Sequence, residues 1–283
     1  MAETLIRPAE ARDHGSTVNT PPWDRLASVG RIFFAASMIG FGAMSLLWQG
    51  FVTTMVPPWP AWVPGRSLWA CLVGAVLIAI GAAILFQIEE RLAAVALGTM
   101  LLLSAILLYG PRVAAKAGVL GVYFGPSECI ALAGGAFLIA RLSSENGRTA
   151  AGQISSARLA HRDRTLPARI LFGGFLAFCG IEHFVYTDVV ARLVPAWIPF
   201  HHFWTCFAGV ALIAAGLGLV VEKTKRWAAL LCGGMIFTWF LILHIPRALA
   251  APHDAAEWSS VCESLAFSGM AFLLAATAST VRA

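Results

Sequence analysis

Long apolar runs separated by short polar breaks dominate the chain from residue 31 onwards. Eight of them, at 31–48, 68–86, 92–109, 122–141, 169–187, 202–221, 227–244 and 259–278, are long enough or nearly so to cross a bilayer. A helix needs about 20 residues for about 30 Å of hydrocarbon. Backbone groups in lipid must be satisfied within their own segment, so helix is the predicted form, and strand alternation is absent. Pro126 interrupts the fourth run. Residues 1–30 are polar and mixed in charge, which predicts a cytoplasmic segment followed by a retained first helix rather than a cleaved signal. Residues 142–168 form a second polar stretch, expected to be a cytoplasmic linker with a short amphipathic helix on the membrane surface.

Composition agrees with this pattern. Apolar residues make up 59% of the chain and charged residues 12%, whereas soluble chains carry about 25% charged residues. The predicted class is an all-α integral membrane protein in contact with the lipid bilayer. A net charge of +5 and a pI near 9.1 raise the question of nucleic acid, but the positions of the positive residues answer it. With the N-terminus inside, fifteen Lys and Arg fall on the inner side and five (Arg66, Arg112, Lys116, Arg192 and Arg247) on the outer side. That is the positive-inside asymmetry. It predicts a multi-pass protein of the plasma (inner) membrane with both termini cytoplasmic and no nucleic-acid partner.

The chain is also written twice. Arg31, Gly42 and Pro57 precede Arg169, Gly180 and Pro195 by 138 positions. After three extra residues in the first copy the offset becomes 135. Trp62, Trp69, Gly74, Gly81, Arg91, Gly98, Pro111, Arg112, Glu128 and Gly134 then match Trp197, Trp204, Gly209, Gly216, Arg226, Gly233, Pro246, Arg247, Glu263 and Gly269. The copies, 31–141 and 169–278, each hold four runs. An even number makes them parallel repeats, predicted to form two four-helix bundles side by side. Glycines seven apart, Gly74 with Gly81 and Gly209 with Gly216, give one helix face on which backbones can approach closely. The loops V-P-P-W-P-A-W-V-P and V-P-A-W-I-P put tryptophans at the outer interface, where indoles anchor in headgroups. Six cysteines occur without a C-x-x-C pair and read as small packing residues.

Ionisable groups inside a membrane are costly and point to function. Three replacements separate the copies: Ser45 becomes His183, Met44 becomes Glu182, and Tyr109 becomes His244. At 1.5 Å per residue, His183 lies about 21 Å beyond Arg169, His244 about 27 Å beyond Arg226, and Glu263 roughly 7 Å inside Trp258. The three therefore fall at similar depth in the outer leaflet and are the candidate catalytic residues. Glu182 is about 100° around the helix from His183, so the two cannot both point straight at one site and one of them is expected to face a neighbouring helix or the other copy. Arg247 is expected to hold an anion or pair with Glu263. Glu128 and Glu263 recur in both copies, which favours structural pairs with Arg112 and Arg247. His201, His202, Asp188, His253, Asp254 and Glu257 cluster in the outer loops as a candidate entrance. The candidate substrate-binding set is Glu182, Arg247, His201, His202 and Trp197, the last also serving as an interfacial anchor. A metal on His183, His244 and Glu263 lacks any supporting short ligand spacing, and haem between the two histidines is a minor alternative. No nucleotide-binding loop or nucleophilic triad is present in the sequence.

At these residues the sequence resembles the DoxX-like membrane family. G-I-E-H-F at 180–184, V-P-A-W-I-P at 194–199, a glycine-rich second helix, E-K-T-K-R at 222–226 and L-H-I-P-R at 243–247 carry the likeness. It covers 169–278 well and 31–141 in weakened form. Typical members resemble a single four-helix unit, and this chain resembles two fused. The resemblance implies association with redox systems, including the membrane subunit of a thiosulfate:quinone oxidoreductase. The expected function is then a redox-associated membrane protein. Its second copy would bind a quinone-like or other small redox substrate from the outer leaflet. His183 and His244 would hydrogen-bond the polar head and relay protons, since imidazole titrates near neutrality, and Glu263 would tune them. A partner subunit would supply the remaining redox chemistry. The alternative is a non-enzymatic scaffold, assembly partner or small-solute carrier.

Overall fold

The computed structural model describes residues 22–52, 56–57, 59, 63–150 and 165–278. The expected N-terminal segment up to residue 21, part of the first proline-tryptophan loop including Trp62, and residues 151–164 of the expected 142–168 linker lie outside the described residues. Among those described, regular structure is helical throughout. Eight helices are long and apolar enough to cross a membrane. They are α1 (Pro22–Leu47), α2 (Arg66–Phe86), α3 (Glu90–Leu103, extended below), α4 (Phe124–Ala150), α5 (Leu166–Val185), α6 (His201–Val220), α7 (Lys225–Trp239, extended below) and α8 (Ala255–Thr277). Their outer faces carry unpartnered apolar side chains such as Leu68, Leu92, Ile106, Leu217 and Leu231, each more than 60% exposed. A continuous apolar exterior of this kind suits hydrocarbon, not water.

Prolines move several boundaries. Pro22 and Asp24 start α1 nine residues before the apolar run, because proline fits the first turn and an acidic side chain suits its positive end. Pro126 does not break the fourth run. A 3-10 turn over Leu120–Tyr123 leads into α4, and Pro126 falls in the first turn of α4, where no backbone N–H is needed. α4 then continues to Ala150, past the predicted end at 141. The third and seventh helices continue past Tyr109 and His244. Each passes through one π-helical stretch, Ser104–Tyr109 or Phe240–His244, and resumes as α-helix over Gly110–Ala115 or Ile245–Ala250. Pro111 and Pro246 lie at the start of the resumed helices. A π turn re-registers the backbone so that the carbonyl facing the proline ring need not be bonded.

The helices do not pack as two separate bundles of four. α1 packs mainly against α2 and α8, and α4 mainly against α3 and α5; α4 and α8 also touch. The first and fourth helices of both copies thus form a central group of four, with α2 and α3 on one flank and α6 and α7 on the other. Phe34 of α1 and Phe172 of α5, equivalent residues, are both fully buried in it. Phe172 stacks on Phe267 of α8 with ring centroids 6.0 Å apart, and Phe175 packs on it tilted at 4.7 Å. The cause is backbone contact between copies. A Cβ on Gly30 would come 2.6 Å from the Gly269 carbonyl oxygen, and one on Gly269 2.6 Å from that of Gly30. Within each copy the same device joins first and second helices: a Cβ on Gly42 would lie 2.5 Å from the Gly74 oxygen, and one on Gly180 2.7 Å from the Gly209 oxygen.

This seam between copies makes a specific prediction. A Cβ on Gly40 of α1 would stand 4.0 Å from the Cβ of Cys262 on α8, inside the range of disulfides. Under mild oxidation Gly40→Cys is expected to cross-link to Cys262. After cleavage at a protease site inserted between residues 151 and 164, the two halves would migrate together on a non-reducing gel and separate on reduction. Halves that separate without reductant would rule out the α1–α8 pairing.

Candidate functional site

Two ends of the helical group differ in chemistry. At the end that carries residues 22 and 278, Arg169 is buried and donates to the Leu219 carbonyl at 3.0 Å and to Glu222 at 2.6 Å. Lys225 donates to the other oxygen of Glu222 at 2.6 Å. Arg226 bonds the Ala278 carbonyl and lies 4.2 Å over the ring of Trp23. In the first copy the equivalent Arg31 faces Glu90 at 3.8 Å. These contacts tie helix ends together, and the sequence motifs did not point to them as pairs.

The residues singled out from the sequence lie toward the opposite, distal end. His183 projects from α5 between α6 and α7. Its Cβ is 3.1 Å from a Cβ built on Gly209, and its ring stacks on Trp239 with centroids 6.5 Å apart. Its Nδ1 lies 2.8 Å from the Cys179 carbonyl oxygen. A carbonyl only accepts, so Nδ1 carries the hydrogen and Nε2 keeps the lone pair. Trp239 closes α7 where the π segment begins, and His244 is the last residue of that segment. Trp239, which His183 touches, and His244 are thus about one π turn apart along α7. The Nδ1 of His244 is enclosed and has no hydrogen-bond partner among the described residues. Arg247 and Glu257 are close enough for their charges to act on it.

The carboxylate partners differ from expectation. Arg247 pairs with Glu257, not Glu263: Nε donates to one carboxylate oxygen at 2.9 Å and a terminal nitrogen to the other. Three residues beyond Asp254, Glu257 reaches back to the short helix that carries Arg247. Glu263 accepts from Ser259 at 3.1 Å. Glu128 is not paired with Arg112, which is exposed; Glu128 is fully buried and neither of its oxygens has a hydrogen-bond partner among the described residues. Neither expected glutamate–arginine tie forms, because the helix extensions that contain Pro111 and Pro246 carry the arginines past the glutamates; Arg247 pairs with Glu257 instead. Glu182 is half-buried beside His183.

In the distal loops His202 meets Asp188 at 3.1 Å, both exposed. With His201, Arg192 and Phe200 they border an open depression of about 590 Å³. Trp197 is 72% exposed and stands outside it, which suits an interfacial anchor better than a ligand contact. The Asp254 side chain accepts from Ala256 N at 2.8 Å and caps α8. The first copy is richer than its missing histidines suggested. Tyr109 is buried and packs on Gly125 of α4, near Glu128 and Cys129. The recurrence of Glu128 in the sequence was the available signal for this cluster. No three His, Cys, Asp or Glu among the described residues are grouped to hold a metal.

Comparison with known proteins adds one finding. Residues 172–282, most of the second copy, match the model of a family described as a domain of unknown function, DUF8561. No curated protein matches the chain, and no solved structure does.

The bidentate pair at 247 is testable. Its side chains are 30% and 19% exposed, so Arg247→Lys, which cannot reproduce the fork, is expected to cost on the order of 1 kcal/mol. Thermal unfolding in detergent, followed by helical circular dichroism, should show a lower midpoint for Arg247→Lys and for Glu257→Gln. The reversed pair Arg247→Glu with Glu257→Arg should regain part of it. Midpoints equal to wild type would show that the pair contributes no stability.

Proposed function

We propose that this is a redox-associated membrane protein of the DoxX-like type, residing in the plasma membrane with cytoplasmic termini. In this reading the second copy takes a quinone-like or other small redox substrate from the outer leaflet. The observation that carries it is the position of His183. Its Nδ1 hydrogen is held by the Cys179 carbonyl and its ring is seated against Trp239 in the gap between α5 and α7. Nε2 is then a fixed acceptor, suited to take the proton of a hydroquinone hydroxyl. An aromatic face beside it offers stacking to a planar ring. His244, whose enclosed Nδ1 lacks a partner, supplies a second hydrogen-bonding group one turn further along α7. The electrons would pass to a partner subunit, because the chain itself contributes only proton chemistry at this place.

A second reading, a non-enzymatic scaffold or assembly partner, has one observation in its favour. Arg169, Lys225, Glu222, Arg247 and Glu257 all bond one another or the backbone and tie helices together. The visible spectrum and bound-quinone content of the protein purified from native membranes separate the two. The decisive measurement is quinone affinity of the purified protein in lipid. His183→Ala and His244→Ala are each expected to weaken it about tenfold or more, equal to about 1.4 kcal/mol, with folding retained. Unchanged affinity in both would remove the redox reading and leave the scaffold.

A further inference from the structure

Two glutamates meet where the two copies meet. Glu128 on α4 and Glu263 on α8 occupy the same place in the repeat, 135 residues apart. Gly135 and Met270 are also 135 apart, and each lies seven residues, close to two turns, further along the same helix face. A Cβ on Gly135 would come 2.5 Å from the sulfur of Met270. Equivalent residues of two repeats touch one another only on the axis that relates the copies. α4 and α8 therefore meet at that axis, and Glu128 and Glu263 face each other across it, near enough for one charge to act on the other.

The surroundings offer Glu128 little compensation. From α3, Tyr109 packs its ring on Gly125, one turn before Glu128, and Ser104 bonds the thiol of Cys129. From α5, Cys179 is within reach of the charges of Glu182, Glu128 and Glu263. From α8, Ser259 donates to Glu263. Arg112 acts on Tyr109 but stands in the open. Independently of the pairing, the Glu128 side chain is 0% exposed and neither oxygen is hydrogen-bonded within the described residues. A buried carboxylate without bonds is costly, and two facing carboxylates are costlier. A proton answers both terms: it removes one negative charge and gives one carboxyl an O–H to donate to its neighbour, a short and strong bond.

We propose that Glu128 and Glu263 form a proton-binding site on the axis between the two copies, one proton being shared by the two carboxyl groups. Binding takes the pair from two negative charges to one, and release of the proton restores the second charge. The proposal does not rest on a quinone, and it uses neither His183 nor His244, so each can fail without the other.

Infrared spectroscopy of the full-length protein in lipid nanodiscs tests it through the carbonyl stretch of protonated carboxyl groups. At neutral pH the wild type is expected to show such a band, and Glu128→Gln and Glu263→Gln are each expected to lose it. In either variant the remaining carboxylate no longer faces a like charge and gains an amide N–H donor. Persistence of the full band in either variant would overturn the shared site, as would its absence from the wild type. Exchange of sodium or potassium for a bulky organic cation should leave the band unchanged; a band that metal cations abolish would make this a cation site instead. The double glutamine variant reproduces the shape of the neutral acids and should fold. Its failure to fold would also overturn the proposal.

Discussion

The structure depends on backbone touching backbone between α1 and α8. Two helices that share lipid on their other faces gain little from the hydrophobic effect when they associate, so close van der Waals contact has to supply the attraction. Gly30 and Gly269 supply it by presenting each carbonyl to the other's missing side chain. The related position on the other side of the molecule is less tight. Ala168 replaces Gly30, and a Cβ on Gly134 would lie 3.8 Å from its Cα, with Leu171 filling the space. The pseudo-symmetric seams are therefore unequal, and the α1–α8 seam is the closer. Everything central follows from this: the first and fourth helices of both copies are drawn together, and the second and third are left as flanks.

Helix number and length were legible because they rest on local constraints. An apolar run of about 20 residues has few alternatives in a bilayer. The pairing of helices was not legible in the same way. Repeats of four suggest closed bundles, and glycine faces announce close contact without naming the partner. Gly74 and Gly209 packed within their own copies, on Gly42 and Gly180; Gly269 found α1 of the other copy. The choice is set by which faces complement each other in three dimensions, information that a count of small residues does not hold.

The polar residues divide along the same line. Depth along a helix follows from rise per residue, and His183, His244 and Glu263 do lie toward the distal end. Direction around the helix needs the pairing, and here expectation failed for Arg247 and Arg112. Both were placed beside glutamates because a helix was taken to end before its proline. With a π turn absorbing Pro111 and Pro246, the arginines ride one helical extension further, so Arg247 finds Glu257 instead. A π segment is invisible to a period of 3.6.

That same π turn is the reason the two copies can differ in chemistry without differing in shape. It recurs at the repeat offset, ending on Tyr109 in one copy and on His244 in the other. In both, the residue that ends it is turned inward, away from the lipid-facing Leu107 and Leu241, which are 63% and 48% exposed. In the first copy the inward group is a phenol packed on Gly125, next to a fully buried glutamate. In the second it is an imidazole near an ion pair, and one turn back along α7 is Trp239, on which the His183 ring stacks. A duplicated backbone irregularity thus acts as a socket at one level of the membrane. Substitution at a single position in each copy then changes the donor and acceptor that the socket presents, while the helix path, fixed by proline and glycine, stays the same.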